Sequence, residues 1–449
     1  MTDRHSISLP RLALLAGGLL LGGTAACRTS PPPQEAPGEP ARTTQAAPDS
    51  PGRAQVLPGL EVLLRDSLHL VRGKRVGFIT NQSAVTSTGE LGIDALARHP
   101  EVKLVALFSP EHGIRGTAEA GAKIDTGRDE KTGLPVYSLY GRTQRPTDEM
   151  LRDVEILVFD IQDIGARPYT FVWTMAMAME EAAKRRIPFV VLDRPNPITA
   201  AIDGPLMHMD VRNVTQVITG YYAVPLRHGM TVGEIARYYN EDARVGADLH
   251  VVPAAGWRGD MWFEETGLPF VRPSPNIRSV DAELKYSGLV LAEATNLTVG
   301  RGTEAPFSYL GAPWMDAGRV LERVGTYDLP GVRLSSVRIT PSGPRENWIP
   351  FRDSAVAAIR LDVTDRNAFR PALTALVLLT EIKRQHPAQF RITNAGFTQM
   401  MGSRWAREAF DRGEDPRVIA RRWEDEVRQW MATRNRYRLY AAGRLGTGG

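Results

Sequence analysis

Cysteine is almost missing from this chain: Cys27 stands alone among 449 residues, which excludes an intrachain disulfide and a cysteine-built metal cage. Aromatic residues are few, at 7%. Lysine and arginine form no concentrated block. The net charge of +4 describes a mildly basic, solvated surface rather than a track for nucleic acid. The apolar run 12–21 is too short to read as a membrane span. No G-x-G-x-x-G follows the first strand-like run, and there is no P-loop, G-x-S-x-G or H-E-x-x-H. Dinucleotide, nucleoside triphosphatase, serine hydrolase and zinc-helix chemistry thus lack their usual signatures. Internal repeats and coiled-coil heptads are absent too. What remains is a chain with 43% hydrophobic and 24% charged residues, long enough for a large core and two domains.

The position of Cys27 suggests its use. Arg4 and Arg11 precede the apolar run, and small residues 22–26 lead to the cysteine, as in a secretory signal. The stretch resembles a bacterial lipoprotein signal, in which Cys27 would become the lipidated first residue. Thr24 stands where leucine is usual, so ordinary signal cleavage stays open. Arg28, rather than aspartate, after the cysteine favours the outer membrane and a periplasmic location. Residues 28–55, rich in Pro, Ala, Thr and Glu, read as a disordered tether. The expected organisation is a signal over 1–27, the tether, a catalytic domain over 56–270, and cleft-forming loops with a smaller domain over 271–449.

From residue 56 strand-like and helix-like runs alternate, predicting a doubly wound α/β fold with a mostly parallel sheet. Strands are expected at 76–79, 102–108, 134–139, 156–161, 188–192, 249–252 and 356–363. Helices are expected at 91–98, 147–153, 174–186, 231–240 and 371–385, with a last one from Asp415-Pro416. That last helix puts Ile419, Trp423, Val427 and Trp430 on one face, a core stripe. Residues 253–330 read as loop-rich. Polar clusters follow four of the strands: Thr80-Asn81-Gln82, Glu111-His112, Asp160 with Asp163, and Asp193-Arg194-Pro195-Asn196. Ligands of open parallel sheets collect at such strand ends, near the switch in strand order.

Each candidate carries a plainer alternative. Pro110 and Gly113 hold Glu111 at a strand exit, which favours catalysis, with a loop cap or a pair with Arg115 as the plainer alternative. Asp160 and Asp163 need donors such as Arg167, and a structural Asp–Arg pair is as good a reading as catalysis. Prolines bracket Asn196 and Asn276, which fits hydroxyl recognition or simple turns. His112 and His228 bind substrate or hold loops. In the run 293–303 that begins with Glu293, Asn296 and the glycine-flanked Arg301 look ligand-facing. Trp257, Trp262 and Trp314 suit sugar stacking or core.

Taken together, the runs 79–82, 109–113, 132–141, 159–169, 192–197, 227–229, 273–276 and 300–303 resemble the NamZ-type exo-β-N-acetylmuramidases, formerly a domain of unknown function. The resemblance spans essentially the whole folded chain. It implies a Rossmann-like domain joined to a smaller C-terminal α/β domain, with the active site in the cleft between them. It also implies release of N-acetylmuramic acid from non-reducing ends of peptidoglycan fragments, without metal or cofactor. Glu111 is then the expected general acid, and Asp160, Asp163 or Glu293 the second carboxylate. Arg167 or Arg301 would meet the lactyl carboxylate. Asn81, His112, Tyr169, Asn196, His228, Asn276 and Asn296 complete the expected substrate contacts. The family commonly has Ser-Glu where this chain has Thr298-Val299. Two rival readings stand beside it: a metal-dependent hydrolase using Asp160, Asp163, His112 and His228, and a non-catalytic peptidoglycan-binding lipoprotein.

Overall fold

The structure is a computed structural model that describes residues 55–114, 127–212, 219–393 and 396–442. The expected signal, Cys27, all of the tether but its last residue, and Arg115 lie outside the described residues. Among the described residues, nine strands precede residue 253: β1 (Arg75–Thr80), β2 (Lys103–Ser109), β3 (Gly127–Arg128), β4 (Pro135–Ser138), β5 (Ile156–Asp160), β6 (Phe189–Leu192), β7 (Asp203–Leu206), β8 (Pro225–Arg227) and β9 (Leu249–Val252). Seven of them form one sheet in the order β3-β4-β2-β1-β5-β6-β9. All its pairings are parallel except β3 with β4. The strand order reverses between β1 and β5.

Strand periodicity explains the layering. In β5, Ile156 and Val158 enter one buried cluster, while Leu157 and Phe159 enter another on the opposite face. Helices Gly59–Asp66 and Gly92–Arg98 cover the first face through Leu60, Leu63, Ile93 and Leu96. Helices Phe171–Arg185 and Val232–Asp242 contribute to the core on the second. A strand buried on both faces must be apolar at every position, and Ile156–Phe159 is. The α/β expectation holds, with helices on both sides of a parallel sheet.

Downstream, β10 (Tyr309–Ala312), β11 (Val332–Ile339) and β12 (Val356–Val363) form an antiparallel sheet in the order β10-β12-β11. Helix Pro371–Gln385 is buried from Pro371 to Ile382 and packs on helix Val280–Leu289. The two backbones nearly touch: a Cβ on Gly288 would lie 2.0 Å from the Pro371 carbonyl oxygen. Residues 253–330 are therefore more ordered than their composition suggests, since they include Val280–Leu289, Ala317–Val324 and β10. Of the ten residues of Val280–Leu289 only Asp281 is not buried, so no amphipathic rhythm betrays the helix.

Candidate active site

Glu111 leaves the end of β2 through a sharp turn. His112 and Gly113 both adopt left-handed backbone angles, with φ of 70° and 77°. The turn sets the carboxylate in the lining of a cavity of about 340 Å³, near the low end of small-molecule sites. Thr170 Oγ1 donates to Glu111 Oε2 at 2.7 Å. Tyr140, from the loop after β4, donates its hydroxyl to the same carboxylate. Burial first, and Glu111 second, push the Tyr140 phenol above its ordinary pKa, so it stays a donor.

Glu293 faces the same cavity from the short turn Val290–Ala294. Arg301 grips it: Nε donates to Glu293 Oε1 at 2.6 Å. Gly300 and Gly302, with φ of 83° and 82°, bracket Arg301. A side chain at 300 would strike the Tyr309 ring and one at 302 the Ser342 carbonyl, both at 2.7 Å. Burial opposes the Arg301 charge, but Glu293, with Tyr286 and Glu111, outweighs it and raises the pKa. The guanidinium carbon also lies 5.4 Å from each of the Phe307 and Trp348 ring centres. Tyr286 lines the cavity, its phenol raised well above the ordinary range by burial and then by Glu293.

Of the other expected site residues, His112, Tyr169 and Asn276 line this cavity. The rest do not. Asp160 is buried and receives Nε and Nη2 of buried Arg194, so its lone pairs serve an internal ion pair. Asp163 Oδ2 accepts from Gly165 N at 2.7 Å and from His228 Nε2 at 3.2 Å. His228 Nδ1 in turn accepts from Met230 N, which leaves the ring proton on Nε2. Asn81 Oδ1 accepts from the amide and hydroxyl of Ser83, and Asn196 accepts from Ile198 N within its own turn while its Nδ2 donates to the Met230 carbonyl of another loop. Asn296 ties down residues 389–391. Arg167 is wholly buried and donates to the carbonyls of Pro205, Val224, Gln399 and Met400. Glu111 and Glu293 are the carboxylates that line the cavity among the described residues, whereas Asp160 and Asp163 lie outside its lining.

Val299 is buried in the core and is not among the residues that line the cavity. Trp257 packs edge-on against Tyr440, Trp262 donates to Asn367, and Trp314 packs on His386; none is among the residues that line the cavity. Sequence reasoning missed Trp348, Thr170, Tyr286 and the phenol of Tyr140. Only Tyr140 and Thr170 sit in or beside the motif runs. Among the described residues no three His, Cys, Asp or Glu converge as metal ligands.

The N-terminal region of the family described as exo-beta-N-acetylmuramidase NamZ matches residues 76–281, and its C-terminal region matches 284–440. The protein named peptidoglycan beta-N-acetylmuramidase NamZ from Bacillus subtilis (strain 168) is 40% identical over 401 residues, 88% of this chain and 95% of that one. Two crystallised DUF1343 family proteins of Bacteroides fragilis NCTC 9343 share the fold. One has a TM-score of 0.78 at 31% identity, covering 87% of this chain and 100% of that chain. The other has 0.70 at 26%, covering 86% and 99%.

Proposed function

This chain belongs to the NamZ exo-β-N-acetylmuramidase family, and from that premise we propose that it releases N-acetylmuramic acid from the non-reducing ends of peptidoglycan fragments. The reading rests on one observation above the rest: two carboxylates, Glu111 and Glu293, face a single sugar-sized cavity. Glu111 protonates the glycosidic oxygen as the bond to the anomeric carbon breaks. Thr170 and Tyr140 orient its carboxyl group for that transfer. Glu293 stabilises the positive charge that grows on the sugar ring. Water then supplies the hydroxyl at the anomeric carbon, and its proton returns to the carboxylate left on Glu111. Arg301 spends Nε on Glu293 and directs its remaining N–H groups to the lactyl carboxylate of the muramic acid.

The decisive measurement is steady-state cleavage of a muramic acid–glucosamine disaccharide by Glu111→Gln. Replacing the acid with its amide should lower kcat by about 10²- to 10⁴-fold with KM little changed. An unaltered kcat overturns the assignment. The chain is also proposed to be exported and held by a lipid on Cys27, with the outer membrane as destination and residues 28–55 as spacer. Support for that comes from the residues around Cys27 alone.

A further inference from the structure

Trp348 is 55% exposed, yet it belongs to the wall of the cavity that holds Glu111 and Glu293. The contrast with its neighbours locates it. His112, Tyr169, Thr170, Tyr286 and Phe307 line the same cavity and are all buried. The indole therefore stands at the mouth and the others deeper inside. One of its faces is directed at Arg301, whose guanidinium carbon is 5.4 Å from the ring centre. That contact orients the ring, and the exposure leaves the rest of the indole to whatever enters.

An exo-acting glycosidase admits the chain end first, so the sugar to be released goes deepest and the leaving-group sugar stops at the rim. We infer that Trp348 is the binding platform for the leaving-group sugar, the N-acetylglucosamine that follows the terminal muramic acid. This inference rests on the function proposed above and adds a second sugar position to it. A β-linked pyranose carries three axial C–H bonds on one face, which makes that face apolar and slightly positive. The electron-rich face of an indole is its natural partner. The terminal muramic acid, held by Arg301 and flanked by the two carboxylates, needs no contact with Trp348.

Two variants and two ligands test this. Trp348→Ala should raise KM for the muramic acid–glucosamine disaccharide about tenfold or more while kcat changes by less than about threefold. Inhibition by free N-acetylmuramic acid, which fills only the deep position, should keep its inhibition constant. Trp348→Phe should recover most of the lost affinity, since it restores an aromatic face at a solvent-exposed position. An unmoved KM in an active Trp348→Ala protein overturns the inference and leaves the function standing. So does an inhibition constant for free N-acetylmuramic acid that rises in step with KM, because Trp348 would then serve the deep sugar. If the unaltered protein cleaves no such disaccharide, the function and the inference fall together.

Discussion

At the scale of single residues, the chain separates its carboxyl groups by surroundings rather than by spacing. Glu111 and Glu293 reach the cavity. Asp160 gives both oxygens to Arg194, while Asp163 gives Oδ2 to internal partners and leaves Oδ1 unpaired. Glu283 belongs to neither class. It is 1% exposed and its Oε2 has no hydrogen-bond partner. Loss of hydration, followed by Asp163 and Glu264, raises its pKa well above the ordinary 4.5. Because the folded value exceeds the unfolded one, its contribution to stability is complete below about pH 4.5. That contribution is lost as pH climbs toward the folded value. Glu283→Gln keeps the shape of the protonated acid and does not titrate. Its melting temperature should exceed the parent's at pH 8 and match it near pH 4. The same offset at both pH values refutes this account. Glu111 and Arg301 were legible because proline and glycine mark the turns that aim them. Asp160 was not, since no feature of residues 156–163 discloses that Arg194, on another strand's exit, will neutralise it. Trp348 lay outside every motif run, and only the fold brings it to the cavity.

Elements were readable where one face or both were uniformly buried. The run 156–161 falls on β5 because apolar residues occupy both of its faces from Ile156 to Phe159. The run 356–363 falls on β12, where exposed Arg360 and half-buried Asp362 accompany buried Val356, Ala358, Ile359 and Leu361. Pro371 marks the start of its helix at the first turn. The ribbon β7–β8 escaped notice, since Asp203–Leu206 contains Gly204 and Pro205, which normally interrupt a strand. Val280–Leu289 escaped for the opposite reason, being enclosed on nearly every side. That enclosure makes Gly288 a sharp test of the packing. Intrinsic helix preference favours alanine over glycine by about 1 kcal/mol. A methyl group 2.0 Å from a backbone oxygen must instead force two helices apart, at about 3 kcal/mol or more. The steric cost wins, so Gly288→Ala should lower the denaturation midpoint without changing its slope, and a midpoint equal to or above the parent's would refute the close contact.

For the whole molecule, the proposed address rests on Cys27 and the residues around it, which lie outside the described residues. If Cys27 carries the lipid, Cys27→Ala should abolish incorporation of labelled palmitate and move the protein from the membrane fraction to the soluble one. Activity per molecule should stay the same. Retention of label in the Cys27→Ala protein rules out that anchor. The catalytic body depends on a different kind of attachment. Arg167, in the loop after β5, grips the β7–β8 ribbon with one nitrogen and the backbone of Gln399 and Met400 with another. Gln399 and Met400 also line the cavity. To swing that wall outward, the protein would have to strand a cation among peptide dipoles with no water to receive it. That part of the wall is consequently set during folding, and whatever enters the cavity must fit Gln399 and Met400 where they stand.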